Sequence, residues 1–270
     1  MKPYTKEEIF AQLQALGATG DGVVLVHSSL RAVGPVEGGG KALLDALISY
    51  FTKDGGLLLI PCHTWHRLGE EITLDMASSD NCLGALSTLA AEDERGLRTD
   101  SPTHSVVIFG DRERAKRFSD GEKEAKTPTG EETCYGRLYR EGGKVLLLGV
   151  GHNRNTYLHA VDEILGIQNR MEKEKSTFVS VKYPDGKVEK REIYLFYTDF
   201  VEDISDRFIK YEIPFRYHRA VTDGFVGNAP SQLCDAEKMK EVLERIYQNS
   251  PSDPLDTENP IEAKYYIEKR

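Results

Sequence analysis

Four short apolar runs organise the first half of the chain: Val-Val-Leu-Val at 23–26, Leu-Leu-Leu-Ile at 57–60, Val-Val-Ile-Phe at 106–109 and Val-Leu-Leu-Leu at 145–148. None has a polar position to turn toward water, which is the pattern of a strand covered on both faces. Between them the spacing changes to that of helices. Thr5-Lys6-Glu7-Glu8 forms a capping box, Ile9, Phe10, Leu13 and Leu16 follow as one stripe, and Gly17 closes it. Leu43, Leu44, Leu47 and Ile48 give residues 41–51 an inward face, and Asn81 is placed to cap a helix carrying Leu83, Leu86 and Leu89. Residues 111–118 and 134–139 read as two further helices. Strand, helix, strand in this order predicts a mostly parallel sheet with helical crossovers.

After Gly166 the pattern changes. Residues 176–183 and 187–196 alternate around Pro184-Asp185-Gly186, a hairpin signal. Phe200, Ile204, Phe208 and Ile209 stand at helical spacing, residues 221–226 are strand-like before Gly227-Asn228-Ala229, and a last helix spans about residues 235–247. Residues 249–260 are polar with three prolines, so 249–270 is expected to be a polar C-terminal tail, loop or mobile. With no internal repeat and no linker, residues 1–270 are expected to form one α/β domain with an antiparallel addition in the C-terminal half.

Charge and cysteine usage narrow the partners. The formal net charge of −9 disfavours nucleic acid and suits a cationic partner. No apolar run approaches the roughly 18 residues of a membrane span, and the first residues lack the apolar stretch of a signal peptide. Cys62, Cys82, Cys134 and Cys234 form no CxxC pair and read as free thiols in a reducing, cytoplasmic compartment.

Chemistry concentrates in residues 144–166. A buried strand breaks at Gly149-Val150-Gly151, a polar turn follows, and a helix starts at Asn155 or Thr156. His159 lies in its first turn with Asp162 three residues on. A helix N-terminus favours neutral imidazole, which can accept a proton, and a nearby carboxylate can fix its orientation. The alternative is a histidine that only caps or packs. Elsewhere, Gly34 to Lys41 fails as a P-loop because Lys41 is followed by Ala42, and Gly149-Val150-Gly151 fails as a dinucleotide fingerprint because Arg154 stands at the third glycine position. His27-Ser28-Ser29 ends a buried strand with donors suited to a phosphate, or is an ordinary turn. His63, His66 and His104 leave a metal-dependent hydrolase open, although there is no HExxH and no cysteine pair. Ser105 sits in no GxSxG elbow.

Taken in order, these pieces resemble the aminoglycoside N(3)-acetyltransferase family over roughly residues 8–243. Val26-His27-Ser28-Ser29-Leu30 with Gly34 and Gly38-Gly39 is similar to its first signature, and Pro61 with Thr64 and Cys82-Leu83-Gly84-Ala85-Leu86 to its second. Arg98-Thr99-Asp100-Ser101-Pro102-Thr103-His104-Ser105 resembles its Arg-Ser-x-His-Pro-x-x-Ser element, and Thr127-Pro128-Thr129-Gly130 through Arg137-Leu138 its Gly-x-x-Ser-Pro segment. The run from Leu146 to Gly149, followed by Thr156-Tyr157-Leu158-His159-Ala160-Val161-Asp162, resembles the signature holding its catalytic histidine; Gly227-Asn228-Ala229 resembles its Gly-x-Ala element.

The resemblance implies a three-layer α/β/α sandwich, acetyl-coenzyme A as co-substrate, no metal, and a primary amine as acceptor, the 3-amino group of an aminoglycoside in the family. It implies that His27, Ser28, Ser29, Leu30, Gly34, Gly38 and Gly39 hold the coenzyme with Arg98 and Thr99 nearby, and that His159 is the general base with Asp162 beside it, passing acetyl directly to the amine. Asp162 stands where the family has Glu, Ser101 where many members have His, and Thr133-Cys134 where it has Ser-Pro; the loop from Trp65 to Asn81 is short. Acceptor contacts are expected from Glu70, Glu71, Asp75 and Asp80 on that loop, with His63 and His104. Acyl transfer to a different amine, and a non-catalytic coenzyme-binding module, are the other readings. The sequence leaves the oligomeric state open.

Overall fold

The four apolar runs become the middle of one sheet. The computed structural model describes residues 2–267. In chain order it comprises α1 (Lys6–Ala15), β1 (Val23–Ser28), α2 (Leu30–Val33), α3 (Gly39–Phe51), β2 (Leu57–Pro61), β3 (Leu74–Asp75), α4 (Ala85–Ala91), β4 (Leu97–Arg98), β5 (Val106–Phe109), α5 (Arg112–Phe118), α6 (Cys134–Arg137), β6 (Lys144–Leu148) and α7 (Tyr157–Ile164). Then come β7 (Thr177–Lys182), β8 (Val188–Ile193), α8 (Glu212–Tyr217), β9 (Val221–Val226), β10 (Ala229–Asp235) and α9 (Ala236–Asn249), with short 3-10 turns between some of them. The N-terminal capping box forms as its spacing predicts: Glu8 N donates to Thr5 Oγ1 at 3.2 Å and Thr5 N to Glu8 Oε2 at 2.8 Å.

Strand residues divide by parity. Leu25, Leu59, Ile108 and Leu147 face a cluster with α5, α6, α7 and α9, while Val24, Leu58, Val107 and Leu146 face another with α1, α3 and α4. Helices on both faces explain the absence of polar positions in these runs.

The expected mostly parallel sheet is corrected to a mixed one. The seven strands run in the order β4-β5-β2-β1-β6-β10-β9, and only the β1–β2 and β1–β6 ladders are parallel. After β2 the chain returns through β4 and β5 as antiparallel partners, and β9 and β10 close the other edge as a hairpin. β10 pairs antiparallel with β6. Its Pro230, Ser231 and Gln232 hide it from any reading by hydrophobic run. The hairpin around Asp185-Gly186 is present, but β7 and β8 join β3 in a separate three-stranded sheet.

Two further expectations change. Asn81 does not cap a helix; its Oδ1 accepts from Leu83 N and Gly84 N in a turn, and α4 starts at Ala85. The C-terminal segment is irregular, as its prolines require, but docked: Leu255, Ile261 and Tyr266 are buried in the cluster beneath α7 and α9. Leu255→Ala should therefore cost roughly 2–5 kcal/mol, read as a lower midpoint in urea. A variant as stable as the parent would show that the segment does not pack on the core.

Candidate active site

Sheet order and strand direction converge on one edge. β2, β1 and β6 end there and antiparallel β5 begins there, so four neighbouring strands each deliver a histidine: His104 just before β5, His63 just after β2, His27 at the end of β1 and His159 beyond β6. These line a cavity of about 640 Å³. Trp65, Leu68, Cys82 and Leu83 form one wall, Asn153, Arg154 and Thr156 another, and Leu195, Phe196, Tyr197, Glu202, Asp203 and Ser205, from the segment after β8, a third.

His159 is held by this third wall. Its ring stacks on Phe196, with centroids 4.0 Å apart and an 11° interplanar angle, and meets the edge of Phe208 at 4.9 Å. Nε2 lies 2.9 Å from Ser205 Oγ. Burial pushes the imidazole pKa down to about 4 and Arg170 adds to this, with Asp203 opposing. The ring is therefore neutral near pH 7 and open to a proton. Asp203 itself accepts from Ser205 N at 2.9 Å, so it also orders the turn that presents Ser205.

The expected pairing of His159 with Asp162 is corrected. Both lie on α7, but Asp162 Oδ2 accepts from Arg170 Nε at 3.1 Å and its Oδ1 has no hydrogen-bond partner among the described residues. Arg170 also donates to Tyr247 Oη at 2.8 Å and Asp253 Oδ1 at 2.9 Å. Burial raises the Asp162 pKa against the pull of this guanidinium. The carboxylate thus anchors the helix beneath the histidine rather than the imidazole itself.

The other histidines are fixed from below. His63 Nε2 lies 2.7 Å from buried Tyr135 Oη, and His104 Nδ1 lies 3.0 Å from Thr103 Oγ1. Their rings meet at 4.2 Å. Burial depresses the pKa of both, to about 3 for His104, and the charges of His104, His27 and His159 lower that of His63 further. His66 turns away to Asp80, 3.3 Å distant. Among the described residues no group of three or more His, Cys, Asp or Glu converges to hold a metal ion, so the His63, His66 and His104 triad of the hydrolase reading does not assemble.

Of the residues expected at the coenzyme, His27 and Ser28 line the cavity; Ser29, Leu30, Gly34, Gly38 and Gly39 follow in the turn toward α3. Ser29 caps α2, and Gly34, at φ +79°, packs so closely against Asn228 that a Cβ would meet its side chain at 2.4 Å. Arg98 and Thr99 are displaced from the turn they were expected to join, because β4 lies three strands from β1. Arg98 donates to Ser105 Oγ, Ser78 O and Cys62 O, and Thr99 Oγ1 accepts from Val106 N. Both tie the edge of the sheet together.

The loop carboxylates are likewise engaged outside the cavity. Glu70 pairs with Arg67 at 2.9 Å, Asp75 with Lys182 at 2.9 Å and Asp80 with His66; Glu71 is exposed. Glu202 and Asp203 stand on the cavity wall instead. The stripe read from Phe200 hid them: the helical turn starts at Ile204 with Asp203 as its cap, where the chain turns back over His159.

The family pattern of the aminoglycoside 3-N-acetyltransferases fits residues 25–248, from β1 into α9. The chain belongs to this family. It is 30% identical to aminoglycoside N(3)-acetyltransferase III of Serratia marcescens over 261 residues, 86% of this chain and 93% of the relative. It is 27% identical to the prophage-derived aminoglycoside N(3')-acetyltransferase-like protein YokD of Bacillus subtilis over 59% of this chain and 65% of that one. A His-to-Ala variant of aminoglycoside acetyltransferase AAC(3)-IVa, in complex with a gentamicin, shares the fold with a TM-score of 0.78 at 25% identity over 99% of both chains. AAC-IIIb in its binary complex with CoASH does so with a TM-score of 0.74 at 23% identity, over 89% of this chain and 94% of its own.

The four cavity imidazoles have a measurable signature. His27, His63, His104 and His159 each have a folded pKa below the roughly 6.5 of a free imidazole, so the stabilising contribution is complete above that pH and is lost as pH falls toward the folded value. His104→Gln should flatten the pH dependence of unfolding free energy, between about pH 6.5 and 4.5, by up to about 1.4 kcal/mol per pH unit. Urea titrations at several pH values read this slope; an unchanged slope would mean that His104 titrates normally in the folded protein.

Proposed function

We propose that this member of the family transfers the acetyl group of acetyl-coenzyme A to a primary amine, the 3-amino group of an aminoglycoside. The observation that carries the reading is His159: a neutral, stacked imidazole on the wall of a cavity of about 640 Å³, at the edge where a parallel pair of ladders splits. An alkyl amine is mostly protonated at neutral pH and must lose a proton to attack a thioester. Ser205 Oγ, accepting from Nε2–H, leaves the lone pair of Nδ1 free to act as the base. The amine forms its bond to the carbonyl carbon, the C–S bond breaks, and the proton collected by His159 passes to the departing thiolate.

Direct transfer is supported by the cysteines. Cys82 is on the cavity wall, and burial raises its thiol pKa above the ordinary value, which makes it a poor nucleophile.

A second reading of the acceptor has its own support. With Glu70 and Asp80 engaged by Arg67 and Asp75 by Lys182, Glu202 and Asp203 are the carboxylates lining the cavity among the described residues, and Trp65 and Tyr197, each about half exposed, rim it. A less highly charged amine with an aromatic or apolar body suits such walls. A panel of aminoglycosides and simpler amines, followed by thiol release from acetyl-coenzyme A with mass spectrometry of the products, separates the two.

His159→Ala should lower turnover by on the order of a hundredfold or more. Coenzyme affinity by calorimetry should stay the same, and higher pH should partly restore the rate as more acceptor becomes neutral. A folded variant with near-normal turnover at neutral pH would sink the mechanism.

A further inference from the structure

One buried nitrogen in the histidine arc has no hydrogen-bond partner among the described residues. His63 is tied to Tyr135, His104 to Thr103 and His159 to Ser205, but His27 Nε2 is buried without a hydrogen bond to any described residue. A buried polar atom left unpaired in this way marks a place where something else supplies the bond. The residue is only 7% exposed and lines the cavity.

Strand parity says which way it faces. Along β1, Val23 and Leu25 point to the cluster beneath α7, and Val24 and Val26 to the opposite face. His27 is next in the odd series, so it stands on the side of the sheet that carries α7 and His159. Burial holds its pKa down to about 3, which leaves a neutral ring with one N–H to give. The carbonyl oxygen of a thioester can only accept, and it gains negative charge when an amine attacks.

We propose that His27 donates its Nε2–H to the thioester carbonyl of the acetyl donor and holds the oxyanion of the tetrahedral intermediate. This role rests on the acyl-transfer reading above and adds a second catalytic imidazole to it. As the amine nitrogen bonds to the carbonyl carbon, the C=O electron pair moves onto oxygen against His27 Nε2–H. When the carbonyl reforms, the C–S pair leaves with sulfur, and the proton taken by His159 goes to the thiolate. A neutral imidazole suits the task, since it donates to the developing charge without offering a competing acidic proton to the incoming amine.

The test uses His27→Leu, which removes the donor, and His27→Gln, which keeps one. His27→Leu should lower kcat by about a hundredfold to a thousandfold, His27→Gln should retain at least about tenfold more of it, and free coenzyme A should bind all three proteins alike. Infrared difference spectra of carbonyl-labelled acetyl-coenzyme A, bound without acceptor, supply a readout that packing alone would not move. The carbonyl band should shift to lower frequency on the parent protein and on His27→Gln, and should not shift on His27→Leu. If His27→Leu does not fold, the parent and His27→Gln spectra still decide. An unshifted band on the parent, a band shifted equally on His27→Leu, or a loss of coenzyme A affinity matching the loss of rate would overturn the role. A parent protein that binds acetyl-coenzyme A with the band shifted, yet acetylates no amine in the panel, would instead overturn the acyl-transfer reading.

Discussion

The guanidinium of Arg170 is the point on which the site's geometry rests. It is almost wholly buried, paired with Asp162 of α7 and Asp253 of the C-terminal segment, and donates to Tyr247 of α9, which in turn meets Tyr211 at 2.8 Å. A buried pair of this kind adds little net stability over an apolar substitute, but removing one partner strands a charge at a cost of roughly 3–5 kcal/mol. Its effect is to specify position. It locks the helix carrying His159 to two elements from the far end of the chain, and it draws the proline-rich C-terminal segment onto the core.

Desolvation then sets the chemistry. Bringing four imidazoles to one sheet edge would be repulsive if they were charged; keeping them from water makes the neutral form the stable one. The same burial leaves each ring dependent on a specific partner, and the partners differ: a phenol, a threonine and a serine. Identical side chains thereby sit in different hydrogen-bonding surroundings.

What was legible in the sequence was local. The capping box, the doubly covered strands, the hairpin turn and the first-turn position of His159 depend on neighbours within a few residues, and each is present. The partners that decide function are distant in sequence. Asp162 and His159 share a helix, yet Asp162 is claimed by Arg170 and, through it, by Asp253. Phe196 and Ser205 reach His159 from the segment after β8, 37 and 46 residues on. β10 escaped because its burial comes from pairing with β6 and β9 rather than from an apolar run, and the acidic loop misled because its carboxylates find cations that only folding brings near.

The small sheet separates two duties. β3 comes from the loop after β2, and β7 and β8 from the segment after α7, so the stretches that carry two walls of the cavity are hydrogen-bonded to one another outside the histidines' strands. They form a unit outside the central sheet, and the third wall meets His159 through the ring of Phe196 and the hydroxyl of Ser205. Changes of loop length or of side chains within that unit can therefore reshape two walls of the cavity while the central strands keep the four histidines in place.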